Sequence, residues 1–184
     1  MRPSARSTSI FLWARRHKGL LHGILAVIIP LRKRMRLIAH DIRSLHNVGS
    51  LFRSSDTFGV EKIYLTGITG TPPRKEIAKV ALGSEHRVPW EQRENTLELI
   101  RELQMQGWFI CALETNKEAK SLLEVKRKNG KIVLLVGNEV EGLSSEFCTA
   151  CDAIAEIPMP GVKRSLNVSV AAGIALFWFG TQMR

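Results

Sequence analysis

This chain is short of cysteine, has no acidic residue in its first 34 positions, and shows no glycine-rich turn after its first strand-like run. Each shortage removes a class of protein. Cys111, Cys148 and Cys151 are the three cysteines, and an odd count without framework spacing excludes a disulfide scaffold and points to a reducing, cytoplasmic setting. Cys148 and Cys151 form a C-x-x-C, but structural zinc needs a second such pair or histidines in step with it. They read as small, partly buried residues on a short helix, and no metal is expected. An apolar run from Gly19 to Leu31 has thirteen residues, broken by His22. A bilayer span needs about 20, so no membrane segment is expected. The basic triplet Arg32-Lys33-Arg34 follows that run where a secretory signal would need a small-residue cleavage site.

At 184 residues the chain has the length of one domain with a sizeable core. Its net charge of +10 suggests nucleic acid, but the distribution weakens that argument. Residues 1–34 hold eight basic side chains and no acidic ones, whereas the remaining 150 hold 19 basic against 17 acidic. The excess charge therefore belongs mainly to the first segment, and an argument for RNA must rest on where the later basic residues lie. Residues 1–34 are expected to be a peripheral extension or a stretch read from an upstream start, and residues 35–184 the working domain.

In those 150 residues apolar runs alternate with helical patterns. Leu37 to Ala39, Lys62 to Leu65, Trp108 to Leu113, Ile132 to Val136 and Ala153 to Ile157 read as strands. The continuous apolar character of the third and fourth is that of strands buried on both faces of a parallel sheet. Helices are expected over Val48–Phe58, with Val48, Leu51, Phe52 and Ser55 on one face and Gly59 as a left-handed cap. Others are expected over 74–79, over Gln92–Gln106, where Leu97, Ile100, Leu103 and Gln104 stand at helical spacing, and over Leu166–Met183. The fold class is α/β, a mostly parallel sheet with helices on both faces. His40-Asp41-Ile42-Arg43 follows the first strand, so a conventional dinucleotide-binding turn is excluded.

Three segments go beyond pattern. They are Asn47-Val48-Gly49-Ser50-Leu51-Phe52-Arg53 with its continuation to Val60, Val136-Gly137-Asn138-Glu139-Val140-Glu141-Gly142-Leu143-Ser144, and Ile157-Pro158-Met159-Pro160-Gly161-Val162-Lys163-Arg164-Ser165-Leu166-Asn167 running on to Gly173. Together and in this order they resemble the three signature motifs of the SpoU family, the knotted RNA 2′-O-ribose methyltransferases, from about Met35 to the C-terminus. The resemblance implies a deep trefoil knot in the last third of the chain, S-adenosylmethionine as the methyl donor, and a homodimer with the active site at the subunit interface. It implies RNA as substrate, and the small size of the chain ranks tRNA above rRNA. The alternatives are a base-methylating enzyme of the same fold and a non-catalytic RNA-binding protein.

A ribose 2′-hydroxyl is a weak acid, so its methylation needs alignment with the donor and a partner for the developing alkoxide. The resemblance places Arg53 at the chemistry. A guanidinium keeps its proton in proteins, so holding the substrate phosphate and the alkoxide suits it better than acting as base. Asn47 is expected to orient Arg53 or the ribose. Glu139 is expected to fix its loop by pairing with Arg53 or accepting backbone N–H bonds. Ser165 and Asn167 are expected to position the hydroxyl while capping the last helix. Leu113 (or Glu114), Gly137, Ile157, Pro158 and Leu166 are the expected cofactor contacts, with a side chain at 137 intruding on the adenosine. Lys163 and Arg164, with Arg53, are expected on RNA phosphates.

Overall fold

A computed structural model describes residues 34–125, 130–162 and 165–182. The expectations for residues 1–33, Lys163 and Arg164 lie outside the described residues. Strands β1 (Met35–His40), β2 (Lys62–Thr66), β3 (Trp90–Arg93), β4 (Phe109–Leu113), β5 (Lys120–Ser121), β6 (Ile132–Val136) and β7 (Ala153–Glu156) form one sheet in the order β3-β2-β1-β6-β4-β7-β5. Every pairing is parallel; Leu37, for example, stands between Ile63 and Leu134.

Side chains leave a strand on alternate faces, and the core divides accordingly. Leu37, Ala39, Ile63, Leu65, Leu134 and Val136 point into one layer with α1 (Leu45–Phe58), α2 (Lys75–Ala81) and α6 (Val168–Thr181). Ile38, Tyr64, Val133 and Leu135 point into the other, against Leu99, Ile100 and Leu103 of α4 (Thr96–Met105) and Cys148 of α5 (Ser145–Ala150). Helices therefore cover both faces, as expected. Both cysteines of the C-x-x-C lie at α5, Cys148 buried and Cys151 partly so.

Local chemistry sets the helix ends. Ser44 begins α1 by accepting a hydrogen bond from the Asn47 N–H, and Gly59 ends it at φ 72°. Its buried face is Val48, Leu51, Phe52 and Ser55, together with Gly49. The expectation over 92–106 needs correction. Trp90–Arg93 is strand β3, paired with β2. The helix starts only after Asn95, whose side chain accepts from the Glu98 N–H, and it buries Thr96, Leu99, Ile100 and Leu103, leaving Leu97 and Gln104 only partly covered. A four-residue helix, α3 (Ser84–Arg87), and the two-residue strand β5 complete the unit, and neither has a period long enough to read.

Candidate functional site

In an open parallel sheet the crevice beyond the carboxyl ends of the strands is where ligands bind. Here that crevice is a cavity of about 260 Å³ at the ends of β4, β6 and β7. Its apolar wall includes Leu113, Val136, Ile157, Met159 and Leu166; Glu114, Glu139, Glu141 and Glu156 bring carboxylates to it. The turn after β6 forms one side. Asn138 folds it: its Oδ1 accepts from the N–H of Val140 and Glu141 at 2.8 and 3.2 Å, and its amide donates to the Asp41 carbonyl. Glu114 clamps the far end, accepting from the Leu143 N–H at 2.7 Å. At Gly137 a Cβ would lie 2.7 Å from the Gly142 carbonyl oxygen and 2.8 Å from Leu143 Cδ2. The glycine is needed so that the turn can fold back on β6, not chiefly to leave room in the cavity as the sequence suggested.

Beside the cavity, one side chain from each of the three segments joins a hydrogen-bonded chain. The Glu139 carboxylate accepts from the backbone N–H of Arg43 (3.1 Å) and Ser44 (3.2 Å) and from the Asn47 amide (2.8 Å). The Asn47 carbonyl oxygen in turn accepts from the Asn167 amide at 3.0 Å. Asn167 starts α6, its Oδ1 accepting from the Ser169 N–H at 2.9 Å and from the Ser169 hydroxyl at 2.6 Å. Partial burial opposes ionisation of Glu139, but the bonds from Asn47, Arg43 and Ser44 outweigh it and hold the carboxyl below its usual range. An amide suits position 47 because it must donate to a carboxylate on one side and accept on the other.

Residues 34–177 match the profile of a family described as the SpoU rRNA Methylase family. The chain belongs to that family. It is 32% identical over 174 residues to a 23S rRNA (guanosine-2′-O-)-methyltransferase of Xanthomonas axonopodis pv. citri, an alignment covering 95% of this chain and 67% of the relative. That coverage exceeds residues 35–184, so the alignment reaches into the first segment. Among solved structures, an AdoMet-bound rRNA methyltransferase from Sinorhizobium meliloti is similar at TM-score 0.75 and 30% identity, over 79% of this chain and 55% of that one. The A. aeolicus TrmH/SpoU tRNA modifying enzyme is similar at TM-score 0.73 and 32% identity, over 82% and 76%. The curated relatives are longer, and the chain spans 56–67% of the length of the first of them.

The SpoU motifs do not all meet in one place. Leu113, Gly137, Glu139, Ile157, Ser165 and Leu166 line the cavity. Pro158 does not: it is exposed, and the neighbouring Met159 lines the wall instead, because successive residues of an extended segment face opposite ways. Asn167, and not Ser165, caps α6. Arg53 is on the exposed side of α1 and makes no ion pair with Glu139; Glu139 is satisfied by Asn47 and the backbone. Arg53 lines a groove between α1 and α6 with Ser50, Thr57, Ser169, Val170 and Phe177. Sequence reasoning missed Asn138 and left Glu114 as an alternative to Leu113. The signal for Asn138 was its place between a glycine and the turn, where Asn side chains bond the backbone two and three residues on. Among the described residues no helix is long and apolar enough to cross a membrane, and no cluster of His, Cys, Asp and Glu is placed to hold a metal ion.

Proposed function

We propose that this chain is an S-adenosylmethionine-dependent RNA methyltransferase acting on a ribose 2′-hydroxyl. The observation that carries the proposal is the Glu139–Asn47–Asn167 chain, which ties the three motifs together at the mouth of the cavity. The cavity lining fits the donor: apolar walls for an adenosine, exposed backbone of the 138–142 turn, and carboxylates beside a cationic ligand. Bound there, S-adenosylmethionine supplies an electrophilic methyl group. Leu113, Gly137, Ile157, Met159 and Leu166 would hold it. Ser165 lines the cavity and would orient a hydroxyl at its edge, and Asn47 and Asn167 hold the start of α6 against the 138–142 turn. Arg53 would grip the substrate phosphate and offset charge developing on the ribose oxygen, with Lys163 and Arg164 on neighbouring phosphates.

A homodimer explains why Arg53 stands apart from the cavity of its own chain. Val170, Ile174 and Phe177 form an exposed apolar stripe on α6, spaced i, i+4, i+7, beside the Arg53 groove. A second copy seated on that stripe would bring Arg53 to the subunit interface. The trefoil knot of the last third, the independence of the domain from residue 35 onwards, and a cytoplasmic location belong to the same proposal. The named function of the Xanthomonas relative favours rRNA as substrate; the A. aeolicus tRNA modifying enzyme keeps the expected tRNA in view.

The test is transfer of labelled methyl from S-adenosylmethionine into separated rRNA and tRNA from a strain lacking the gene, followed by alkaline hydrolysis. A 2′-O-methyl group blocks cleavage at its own linkage, so the label should survive in an undigested dinucleotide. Label released on a mononucleotide would show base methylation. RNA retention without transfer would show a binding protein.

A further inference from the structure

Among the described residues, Asp41 and Leu82 are the two other than glycine that stand at positive φ. Leu82 ends a helix, where the left-handed conformation is ordinary. Asp41 ends no helix; it stands directly after β1, at φ 54°. Its carbonyl accepts from the Asn138 amide at 3.2 Å, and Asn138 is the residue that folds the 138–142 turn beside the cavity. Its carboxylate is held on two sides: Oδ1 accepts from the Ile68 N–H at 2.9 Å, and Oδ2 lies 3.3 Å from Nε2 of His40. The other ring nitrogen of His40, Nδ1, lies 3.0 Å from the hydroxyls of Thr66 and Thr96. That ring meets Phe147 with centroids 4.4 Å apart and planes at 61°. Phe147 belongs to α5, which starts just beyond the turn. Two consecutive residues at the end of β1 therefore hold the segment bounding the cavity at both of its ends, Asp41 at Asn138 and His40 at Phe147.

We infer that Asp41 is a positioning residue for the cofactor turn: its left-handed backbone aims the carbonyl that fixes Asn138. The inference rests on the proposal that the cavity takes S-adenosylmethionine. A residue in this conformation outside a turn or cap is a strained feature, and such features persist where the surrounding structure over-determines them. Here the Asp41 N–H donates to the Thr66 carbonyl and the next N–H, that of Ile42, to the Thr69 hydroxyl. The direction of a carbonyl is set by the φ and ψ of its own residue, so a return to negative φ would swing the Asp41 carbonyl away from Asn138. The Asn138 side chain would then lose the partner that orients it. Its Oδ1, which gathers the Val140 and Glu141 N–H groups, would no longer be fixed in place. Aspartate is one of the few side chains other than glycine that take this conformation at small cost. Asp41 does not line the cavity, so it acts on the donor only through the turn.

Asp41→Gly and Asp41→Ala both delete the carboxylate and differ in one respect: glycine takes this φ freely and alanine does not. Calorimetry of the full chain should show Asp41→Ala binding S-adenosylmethionine about fivefold or more weaker than Asp41→Gly, the factor that the left-handed conformation costs an alanine. In an Asn138→Ala background that gap should close to about twofold or less, because the carbonyl then has nothing to hold. Nitrogen-15 relaxation of the free chain needs no ligand. The Val140 and Glu141 amides should stay rigid in Asp41→Gly and become mobile in Asp41→Ala, with those of α4 unchanged in both. Asp41→Asn keeps the tolerance of this conformation and an acceptor for the Ile68 N–H, so it should bind the donor within about twofold of the native chain. That variant keeps the test open should Asp41→Ala not fold, since a loss of about tenfold in it would make the carboxylate charge the cause and overturn the inference. Equal donor affinity in Asp41→Ala and Asp41→Gly overturns it as well, whatever happens to Tm, and so does a gap that survives intact without Asn138. The relaxation difference in a chain that binds no S-adenosylmethionine would sink the proposed activity and leave Asp41 its role; donor binding by the native chain without that difference would do the reverse.

Discussion

Replacing Asn47 by Asp changes only an amide to a carboxylate, yet it should invert the pH dependence at the site. In the native chain Asn47 donates to Glu139 over 2.8 Å and accepts from Asn167 over 3.0 Å. Asn47→Asp keeps the second bond and loses the first, which costs about 1 kcal/mol, the net worth of an ordinary hydrogen bond and less than a buried charged acceptor would lose, because Glu139 is exposed. Two carboxylates in contact add about 1 kcal/mol of repulsion even at the dielectric of water. The sum of about 2 kcal/mol is roughly a thirtyfold shift in the equilibrium that keeps the three motifs assembled. Asn47→Ala loses both bonds and adds no repulsion, so at neutral pH the two variants should be similarly destabilised. Their pH profiles separate them. The native Glu139 carboxyl lies below its usual range, so its contribution is present at neutral pH and is lost as pH falls through that lowered value. In Asn47→Asp the paired carboxyls are pushed up. Stability is then missing at neutral pH and returns as pH falls and the pair shares one proton. Urea unfolding of both variants between pH 7 and 5, at one fixed protein concentration, should show Asn47→Asp gaining on Asn47→Ala. Parallel profiles would refute the assignment of Asn47 as the bridge.

Four further outcomes follow from the geometry. Gly137→Ala should lower S-adenosylmethionine affinity by tenfold or more in calorimetry, about 1.4 kcal/mol, because its Cβ meets the Gly142 carbonyl and must displace the turn; unchanged affinity in a folded variant would place the cofactor elsewhere. Arg53→Ala should leave that affinity intact and collapse the single-turnover rate, and Arg53→Lys should recover little of it, since lysine lacks the planar fork; substantial recovery would reduce Arg53 to a counter-charge. Phe177→Glu, at a residue 56% exposed on the apolar stripe, should shift sedimentation to the monomer and remove methyl transfer, and an unchanged sedimentation coefficient would put the interface on another face. A chain beginning at Met35 should fold, dimerise and bind cofactor as the full chain does, whereas loss of soluble protein would make the first segment part of the domain.

Much of this architecture is legible in the amino-acid sequence alone. Strand runs such as Ile132–Val136 are apolar at every position because both faces are covered, and that follows from composition and period. Ser44 and Gly59 mark the ends of α1 through local hydrogen bonding and backbone freedom, which a sequence carries directly. The motif residues Asn47, Glu139 and Asn167 are legible as a set through the family resemblance, but not what each touches. Glu139 could have paired with Arg53 as easily as with Asn47. The choice depends on parallel strands β1 and β6 being neighbours, which brings the Arg43 and Ser44 N–H groups to Glu139, 96 and 95 residues away. Pro158 and Met159 are equally apolar in sequence, and only the direction of the segment after β7 decides which one faces the cavity. Nothing in the sequence around Glu85 signals that its side chain is buried. Its burial comes from the packing of α3 against α1 and α2. Local propensity determines elements and their caps because those interactions span a few residues; the fate of one charged side chain is decided by whichever distant element the sheet order places against it.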